Sequence, residues 1–440
     1  MGQTEGQMLD DPIGELRAWL EENWDPELTV GEWWERLGTA GWSSPMLPVD
    51  CYGRGMNRSD ALRVQAVIAA HGALGPPQGL GLALAAPTIV AHGTRTQADD
   101  YVRDIVTGQK GWCQLFSEPG AGSDLAGLST RATRDGDVWI VNGQKVWTSG
   151  GHLADFGMLL ARTNPSAPKH RGITWFVLDM HQRGVEVRPL REMTGSTLFS
   201  EVFFTDAEAR DAARIGDVDD GWRVANTTLH IERSGMGAGG DAPVRGALLA
   251  RPGTISGDLD RRAGDFVARG ASAPRTASPS ASRSPAQMYI ELARRFEKNA
   301  DPLIRQELVR LHVLREIIRL NTERHKAVRA AGGDIAGIAN FSKLAMGTIV
   351  RLQRDLGLQI LGARGMLHAY GDDGRSVVAE QRGGGAAVLA TGQALSAQAL
   401  PIFGGTDQIQ RNIIGERTLG LSKEPGDLSH VPFSELPKNT

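Results

Sequence analysis

The chain has 440 residues, with 48 Lys and Arg against 51 Asp and Glu, a formal net charge of −3 with histidine neutral. That length suits two to four domains of the usual ~100–200 residues, and the near-neutral balance argues against a nucleic-acid binder or a polybasic membrane-surface protein. Two cysteines, Cys51 and Cys113, are too few for a disulfide framework or a multi-cysteine metal site, so no metal is expected and a reducing compartment is.

The longest nearly apolar stretch, residues 80–91, falls short of the ~20 residues a membrane helix needs, and Gly81 and Pro87 interrupt it. The first residues carry Glu5, Asp10 and Asp11 and lack a basic, apolar signal pattern. A cytoplasmic enzyme is the expectation.

Residues 1–110 are expected to be helical. Apolar residues recur at helical spacing in Ile13, Leu16, Trp19 and Leu20, and again in Trp33, Trp34, Leu37 and Trp42. A third helix is expected after Ser59-Asp60, an N-terminal cap, with Leu62, Val64, Val67 and Ile68. The tryptophans are most simply read as helix packing.

The period changes near Gly111, and residues 111–215 are expected to form a β domain. Trp112, Gln114 and Phe116 alternate. Asp135-Gly136 and Asn142-Gly143 stand between alternating segments, the signal of tight hairpin turns. Further strands are expected at 156–161, 173–178, 185–190 and 201–204. Short hairpin-linked strands make an antiparallel sheet or barrel.

Helical spacing returns at Gly221, and residues 216–425 are expected to form a helical bundle. Pro302 after Asp301 suits a first helical position. Leu303, Ile304, Leu308, Leu311, Leu314, Ile317 and Ile318 form a long apolar stripe; Phe341, Leu344, Ile349, Leu352, Leu356 and Ile360 form another. A last helix is expected from about 407 to 419. Residues 268–287 break the pattern, because fourteen of the twenty are Ala, Ser or Pro and cannot offset their ordering entropy. A disordered insertion is therefore expected near 250–285, a second irregular region at 371–398 and a tail at 426–440.

Four stretches carry chemistry. Ser117-Glu118-Pro119-Gly120-Ala121-Gly122-Ser123-Asp124, taken alone, is either a tight turn or a glycine-rich loop that brings amides close to an anion or planar ligand. Asn142-Gly143-Gln144-Lys145-Val146-Trp147-Thr148-Ser149 follows, then Leu159-Leu160-Ala161-Arg162. Near the end stands Gly404-Gly405-Thr406-Asp407-Gln408-Ile409-Gln410-Arg411-Asn412. In that order and spacing the set resembles the acyl-CoA dehydrogenase family, over residues 13–423.

The resemblance implies an α+β multidomain flavoenzyme: an N-terminal helical domain, a middle antiparallel β-barrel domain and a C-terminal four-helix bundle. It implies FAD between the β domain and the bundle, with part of the site supplied by a second subunit of a homotetramer or of a heterotetramer with a paralogue. The implied reaction removes the α-proton of an acyl-CoA thioester and passes the β-hydride to flavin N5, giving a trans-2-enoyl-CoA. An electron-transferring flavoprotein is the implied electron acceptor.

By the same resemblance, Phe116 and Ser117 meet the pyrimidine side of the isoalloxazine, with Gln114 at the edge of that strand. Ser123 lies near the flavin phosphates and the thioester tail. Trp147 packs on the flavin ring, Thr148 follows it, and Ser149 takes the place of the hydroxyl that reaches N5. Thr406 and Gln408 bind the cofactor beyond the catalytic loop. Taken without its neighbours, Trp147 is more simply a core aromatic in a strand.

Two positions depart from the common pattern. The base in much of the family is a glutamate directly before the Gly-Thr of the last motif, where this chain has Gly404, able to offer only its backbone amide. One branch of the family instead places the base on the first helix of the C-terminal domain, before an arginine. Here that stretch reads His230-Ile231-Glu232-Arg233-Ser234-Gly235, so Glu232 is the expected base, with Arg233 and Gly405 on the substrate side and Glu380 in reserve. A solvated Glu-Arg pair on a helix face is the plainer alternative. The segment that grips a neighbour's FAD diphosphate is the second departure: Arg295 and Gln306 keep the family's spacing, but Lys298 and Asn299 stand where Phe and Gly are common, leaving Arg294 or Arg305 as alternatives. Gln359 and Gly362 resemble the segment meeting the partner's adenosine diphosphate. A non-catalytic flavin-binding partner subunit, or an acyl-CoA oxidase or flavin monooxygenase on the same fold, are the competing functions.

Overall fold

The computed structural model describes residues 11–237, 257–267, 285–333, 335–370, 374, 385–423, 428 and 430–437. They form two compact units. The first holds residues 11–112, 153–155 and 257–267, and the second holds the rest.

The first unit is built on α1 (Pro12–Asn23), α2 (Val30–Thr39), α3 (Arg58–His71), α4 (Ala86–His92) and α5 (Arg95–Val106). Local chemistry fixes the helix starts. Asp11 caps α1 with Pro12 at its first position, and Thr29 and Glu32 form a reciprocal capping box at α2. The cap of α3 is Asn57 rather than Ser59: its side chain accepts from the Asp60 amide at 3.1 Å. Leu16, Leu20, Trp33, Leu37, Val64 and Ile68 are buried together, and each such aliphatic side chain contributes ~1.5–3 kcal/mol. Trp33 and Trp34 send their indole N–H groups to the carbonyls of Leu74 and Gly75 at 2.7 and 2.8 Å, so their polar ends are satisfied in the core.

The insertion expected to be disordered at 250–285 contains an ordered piece. Residues 257–267 lie along the start of α2. The amides of Val30 and Gly31 donate to the carbonyls of Arg261 and Leu259, at 2.8 and 2.9 Å. The amides of Ala263 and Gly264 donate back to Leu28 and Pro26, at 2.8 and 2.9 Å. Arg262 pairs with Glu27. Ala263 is fully buried, and Leu259 and Phe266 pack on the tryptophan core. Backbone pairing and three apolar side chains offset an ordering entropy that composition alone says is prohibitive. At its other end a helix opens at Pro285, the last residue of the expected insertion, and Ala286 is buried.

The second unit begins with a sheet of β1 (Trp112–Leu115), β2 (Arg131–Asp135), β3 (Val138–Ser149), β4 (Phe156–Arg162), β5 (Ile173–Asp179), β6 (Val185–Pro189), β7 (Phe199–Arg210) and β8 (Arg214–Ile215). The order is β6-β7-β3-β2-β4-β5-β8, with β1 on β4. The hairpins β2–β3 and β4–β5 are antiparallel and lie side by side through their first strands. Those two strands run the same way, so β2 pairs with β4 in parallel at Arg131 and Arg162. Asp135-Gly136 is the expected tight turn, with Asp135 paired to Val138 and Gly136 at φ +60°.

Asn142-Gly143 is not a turn. It is a bulge inside the single long strand β3, where the register against β7 slips between Val141 and Gly143. Asn142 exchanges hydrogen bonds with Asp206 at 2.9 and 3.1 Å, locking the irregularity. Gly143 is required because a Cβ there would lie 2.7 Å from the Thr130 Cα, at φ +151°.

The helices of this unit are α6 (Gly221–Gly237), α7 (Pro285–Arg295), α8 (Pro302–Ala330), α9 (Ile338–Leu361), α10 (Gly385–Ser396) and α11 (Asp407–Ile413), after which the chain widens into a π turn at Ile414–Thr418. Asp301 caps α8 by accepting from the Leu303 and Ile304 amides. The central element is α9, against which α6, α7, α8, α10 and α11 all pack. Tyr289, Leu292, Leu308, Leu311, Ile349, Leu352, Leu356 and Ile360 form the core between them. α6 also rests on β5, where a Cβ at Gly221 would meet the Thr174–Trp175 backbone at 2.6 Å. The expected tail folds back as well: the Phe433 and Ser434 amides donate to Ala167 and Pro165 at 2.9 Å each, and the buried Arg162 guanidinium stacks 3.9 Å from the Phe433 ring. No helix among the described residues is long and apolar enough to cross a membrane.

Candidate active site

The glycine-rich loop and β3 are tied together from below. Phe116 and Glu118 are buried, Gln114 and Ser117 are half-buried, and Pro119, Gly120, Gly122 and Ser123 are exposed. Glu118 turns the loop back on itself by exchanging backbone hydrogen bonds with Ala121 at 3.0 and 3.1 Å. Its carboxylate accepts from the Ser129 and Thr130 amides at 2.6 and 2.9 Å. Lys145, wholly buried on β3, donates to Glu118 at 2.8 Å and to the Phe116 carbonyl at 3.0 Å. Burial pushes the Glu118 carboxyl up, but the Lys145 charge and these hydrogen bonds outweigh it and hold it below its ordinary value. The next residue extends the tie: the Val146 amide donates to the Ser117 carbonyl at 2.9 Å.

Beyond Lys145 the strand bulges a second time, between Lys145 and Thr148. Trp147 takes φ +61°, a left-handed conformation costly for a bulky residue, and its side chain is 61% exposed. Phe199 braces it edge-on, with ring centroids 5.8 Å apart. Thr148 points the other way and is fully buried, and its hydroxyl has no hydrogen-bond partner among the described residues. Ser149, half-buried, ends the strand. The motif residues 114–123 and 147–149 are thus brought onto one support. Arg162 secures the far end of the loop, donating to Ala126 and Leu128 at 2.6 and 3.3 Å, and Lys169 pairs with Asp124 at 2.8 Å.

The last motif forms a second built corner. Gly404 and Gly405 both take left-handed φ, +64° and +84°. Gln410 holds both carbonyls from below, at 2.9 and 3.3 Å, and receives the Asn340 amide at 2.6 Å. Thr406 is the cap of α11, its hydroxyl accepting from the Ile409 amide at 3.2 Å. Asp407 is buried between Lys343 at 3.1 Å and Arg351 at 2.9 Å, both from α9. Burial pushes its carboxyl up; the two cations outweigh that and hold it below the ordinary range. Gln408 is exposed.

Glu232 is half-buried on α6, which shares α9 as a support with the corner at Thr406. The side chain of Arg233 and all of Glu380 lie outside the described residues. Arg295 at the end of α7, Gln306 near the start of α8 and Gln359 near the end of α9 are all exposed, as are Arg294 and Arg305. Gly362 terminates α9 at φ +54° with open space where a Cβ would stand. Along α8, Val309, Val313, Ile317 and Leu320 are about half exposed and follow Gln306 at helical spacing on one face. Lys145, Glu118, Asp407, Gln410 and Asn340 had no assigned role in the sequence reading. Lys145, Glu118, Asp407 and Gln410 stand inside the quoted motifs, yet burial and partners up to 70 residues away are not visible there.

Comparison with known proteins agrees with this architecture. Three family models match: the acyl-CoA dehydrogenase N-terminal domain over residues 13–109, the middle domain over 113–207 and the C-terminal domain over 283–419. The acyl-CoA dehydrogenase IpdE1 of Mycobacterium tuberculosis is 33% identical over 441 residues, covering 95% of this chain and 99% of that protein. The acyl-CoA dehydrogenase FadE34 of the same organism is 48% identical over 203 residues, 46% of this chain; the match spans only 28% of that longer protein. Among solved structures, the ChsE4-ChsE5 complex from Mycobacterium tuberculosis matches at TM-score 0.60 and 25% identity, covering 96% of this chain and 100% of that one. A steroid acyl-CoA dehydrogenase variant named Tcur3481-Tcur3483 shares the fold at TM-score 0.65 and 23% identity, over 94% and 98% of the two chains. The chain belongs to the acyl-CoA dehydrogenase family, whose members are FAD-dependent oxidoreductases.

Proposed function

We infer that the protein oxidises an acyl-CoA thioester to a trans-2-enoyl-CoA, with Glu232 as the base. The observation that carries this reading is Trp147, a large aromatic held exposed at positive φ beside a glycine-rich loop. Such a costly conformation is kept where a ligand uses the ring face.

The residues present fit a flavin. Trp147 offers a planar face, and Gly120 and Gly122 leave open the space a Cβ would take. Gln114, Phe116, Ser117, Trp147, the backbone of Thr148 and Ser149 line the ring in this reading, with Ser123, Thr406 and Gln408 toward the rest of the cofactor. When bound, FAD supplies the acceptor for the β-hydride. Glu232, half-buried on α6, takes the α-proton. The Gly404 amide steadies the charge that develops on the thioester oxygen, while Arg233, Gly405 and Ser123 serve the substrate side.

The α8 stripe of Val309, Val313, Ile317 and Leu320, on the Gln306 face, supports a second subunit whose FAD meets Arg295, Gln306, Gln359 and Gly362. That partner is a second copy or a paralogue, as in the two-component ChsE4-ChsE5 complex. A cytoplasmic location and an electron-transferring flavoprotein as acceptor belong to the same reading.

Gly404, with no side chain to take a proton, favours a second reading, a flavin-binding subunit without activity; Glu232 opposes it. Anaerobic mixing of the FAD-loaded oligomer with short, long, branched and steroid-side-chain acyl-CoAs decides between them. Bleaching of the flavin by at least one thioester supports the dehydrogenase. No bleaching by any supports the silent subunit, and peroxide formation in air points to an oxidase.

A further inference from the structure

Lys145 has no place in the proposed chemistry, yet it is the most completely buried ammonium near the candidate site. It lies on β3, and both its acceptors lie on another segment: the Phe116 carbonyl at 3.0 Å and Glu118 at 2.8 Å. Taking such a pair out of water is costly, and replacing it with well-packed apolar side chains is often neutral or stabilising. Stability alone is therefore a weak reason for it to be there.

Its position offers a stronger one. Phe116 and Ser117 are the last residues before the glycine-rich loop turns, and Trp147 is two residues beyond Lys145. The ammonium thus pins the backbone of one cofactor-facing segment to the strand that carries the other. Lys145 still pairs in register with Val202; the strand slips directly after it. A rigid bond is most useful there, because a bulge leaves the following backbone less constrained by the sheet. Glu118 completes the device. Its carboxylate fixes the ammonium, and the Ser129 and Thr130 amides fix the carboxylate.

We propose that Lys145 is a positioning residue that holds the Phe116–Ser117 backbone at a set distance from Trp147, so that the isoalloxazine finds both edges of its site preformed. This rests on the flavin placement proposed above. Preformed contacts raise affinity by removing the ordering cost at binding.

The test uses the full-length oligomer stripped of FAD and titrated with it, reading flavin fluorescence quenching and the absorption band shape. Glu118→Gln with Lys145→Met removes both buried charges together at similar volume. That double variant is expected to melt within a few degrees of wild type without FAD. It is also expected to bind FAD about tenfold or more weakly, the scale of one charge-assisted hydrogen bond, with a shifted flavin band. Wild-type affinity and band shape in the double variant would overturn the proposal. Glu118→Asp serves if the double variant fails to fold: it keeps both charges but draws the ammonium away from the Phe116 carbonyl. Weaker binding with an altered band supports the proposal, and unchanged binding overturns it. A wild-type protein that takes up no FAD would instead sink the underlying flavin reading.

Discussion

Gln410 donates its side-chain amide to the Gly404 carbonyl at 2.9 Å, reaching back six residues across the turn that opens α11. The same nitrogen reaches the Gly405 carbonyl at 3.3 Å, and the Gln410 oxygen receives the Asn340 amide from α9. The turn that lacks a glutamate is therefore not slack. Two left-handed glycines are clamped by one amide, itself clamped by another helix.

Gln410→Leu keeps the volume but removes both donors and leaves the Asn340 amide without its acceptor. The expected cost is about 1–3 kcal/mol, that of buried polar groups left unpaired. Urea denaturation of the FAD-loaded protein measures it; an unchanged midpoint would mean the clamp adds nothing.

Acid sensitivity should trace to Glu118 and Asp407. Each is held below its ordinary value when folded, because its cationic partners outweigh the effect of burial. A depressed carboxylate stabilises the fold fully above its unfolded pKa, and that contribution is lost as the pH falls through the lower folded value. Tm should thus be flat near neutrality and fall as the pH drops below the ordinary carboxylate range of about 4. Asp407→Asn should make the acid limb shallower. An equally steep limb in the variant would assign the acid loss to other carboxylates.

The ordered piece at 257–267 should matter to the helical unit, whereas residues 268–280 should not. Ala263→Asp buries a carboxylate among Leu259, Phe266 and the tryptophans, costing about 2 kcal/mol or more. Replacing 268–280 with a short Gly/Ser linker should leave Tm nearly unchanged, since long loops are cheap to close. Differential scanning fluorimetry on both variants checks the pair of expectations. A reversed order of effects would refute them.

The α8 face should be a subunit contact. Val313→Glu with Ile317→Lys places two charges on its apolar stripe and should shift sedimentation toward smaller species while weakening FAD retention. A double variant that sediments and retains FAD like wild type would place the interface elsewhere.

The helical, sheet, helical order was legible because hydrophobic period changes at Gly111 and returns at Gly221. Strand positions expected at 156–161 and 173–178 match β4 and β5 to within one residue. Asn142-Gly143 misled because the glycine serves a bulge against Thr130 rather than a turn, and the dipeptide is the same in both. The 257–267 piece was hidden because its apolar residues are few and its partners, Pro26 to Gly31, are more than 220 positions away. The motif residues were legible as a set. The pins beneath them were not, because Lys145 reads as one more surface cation until its burial is known.

In the proposed reaction Glu232 removes the α-proton. Stopped-flow measurement of anaerobic flavin bleaching, with a thioester the wild type oxidises, tests it in Glu232→Gln, which keeps size and hydrogen bonding but cannot accept the proton. FAD content and acyl-CoA binding should persist, while the bleaching rate should fall by about 10²–10⁴-fold, the usual contribution of a general base. Bleaching by Glu232→Gln at the wild-type rate would move the base to another carboxylate.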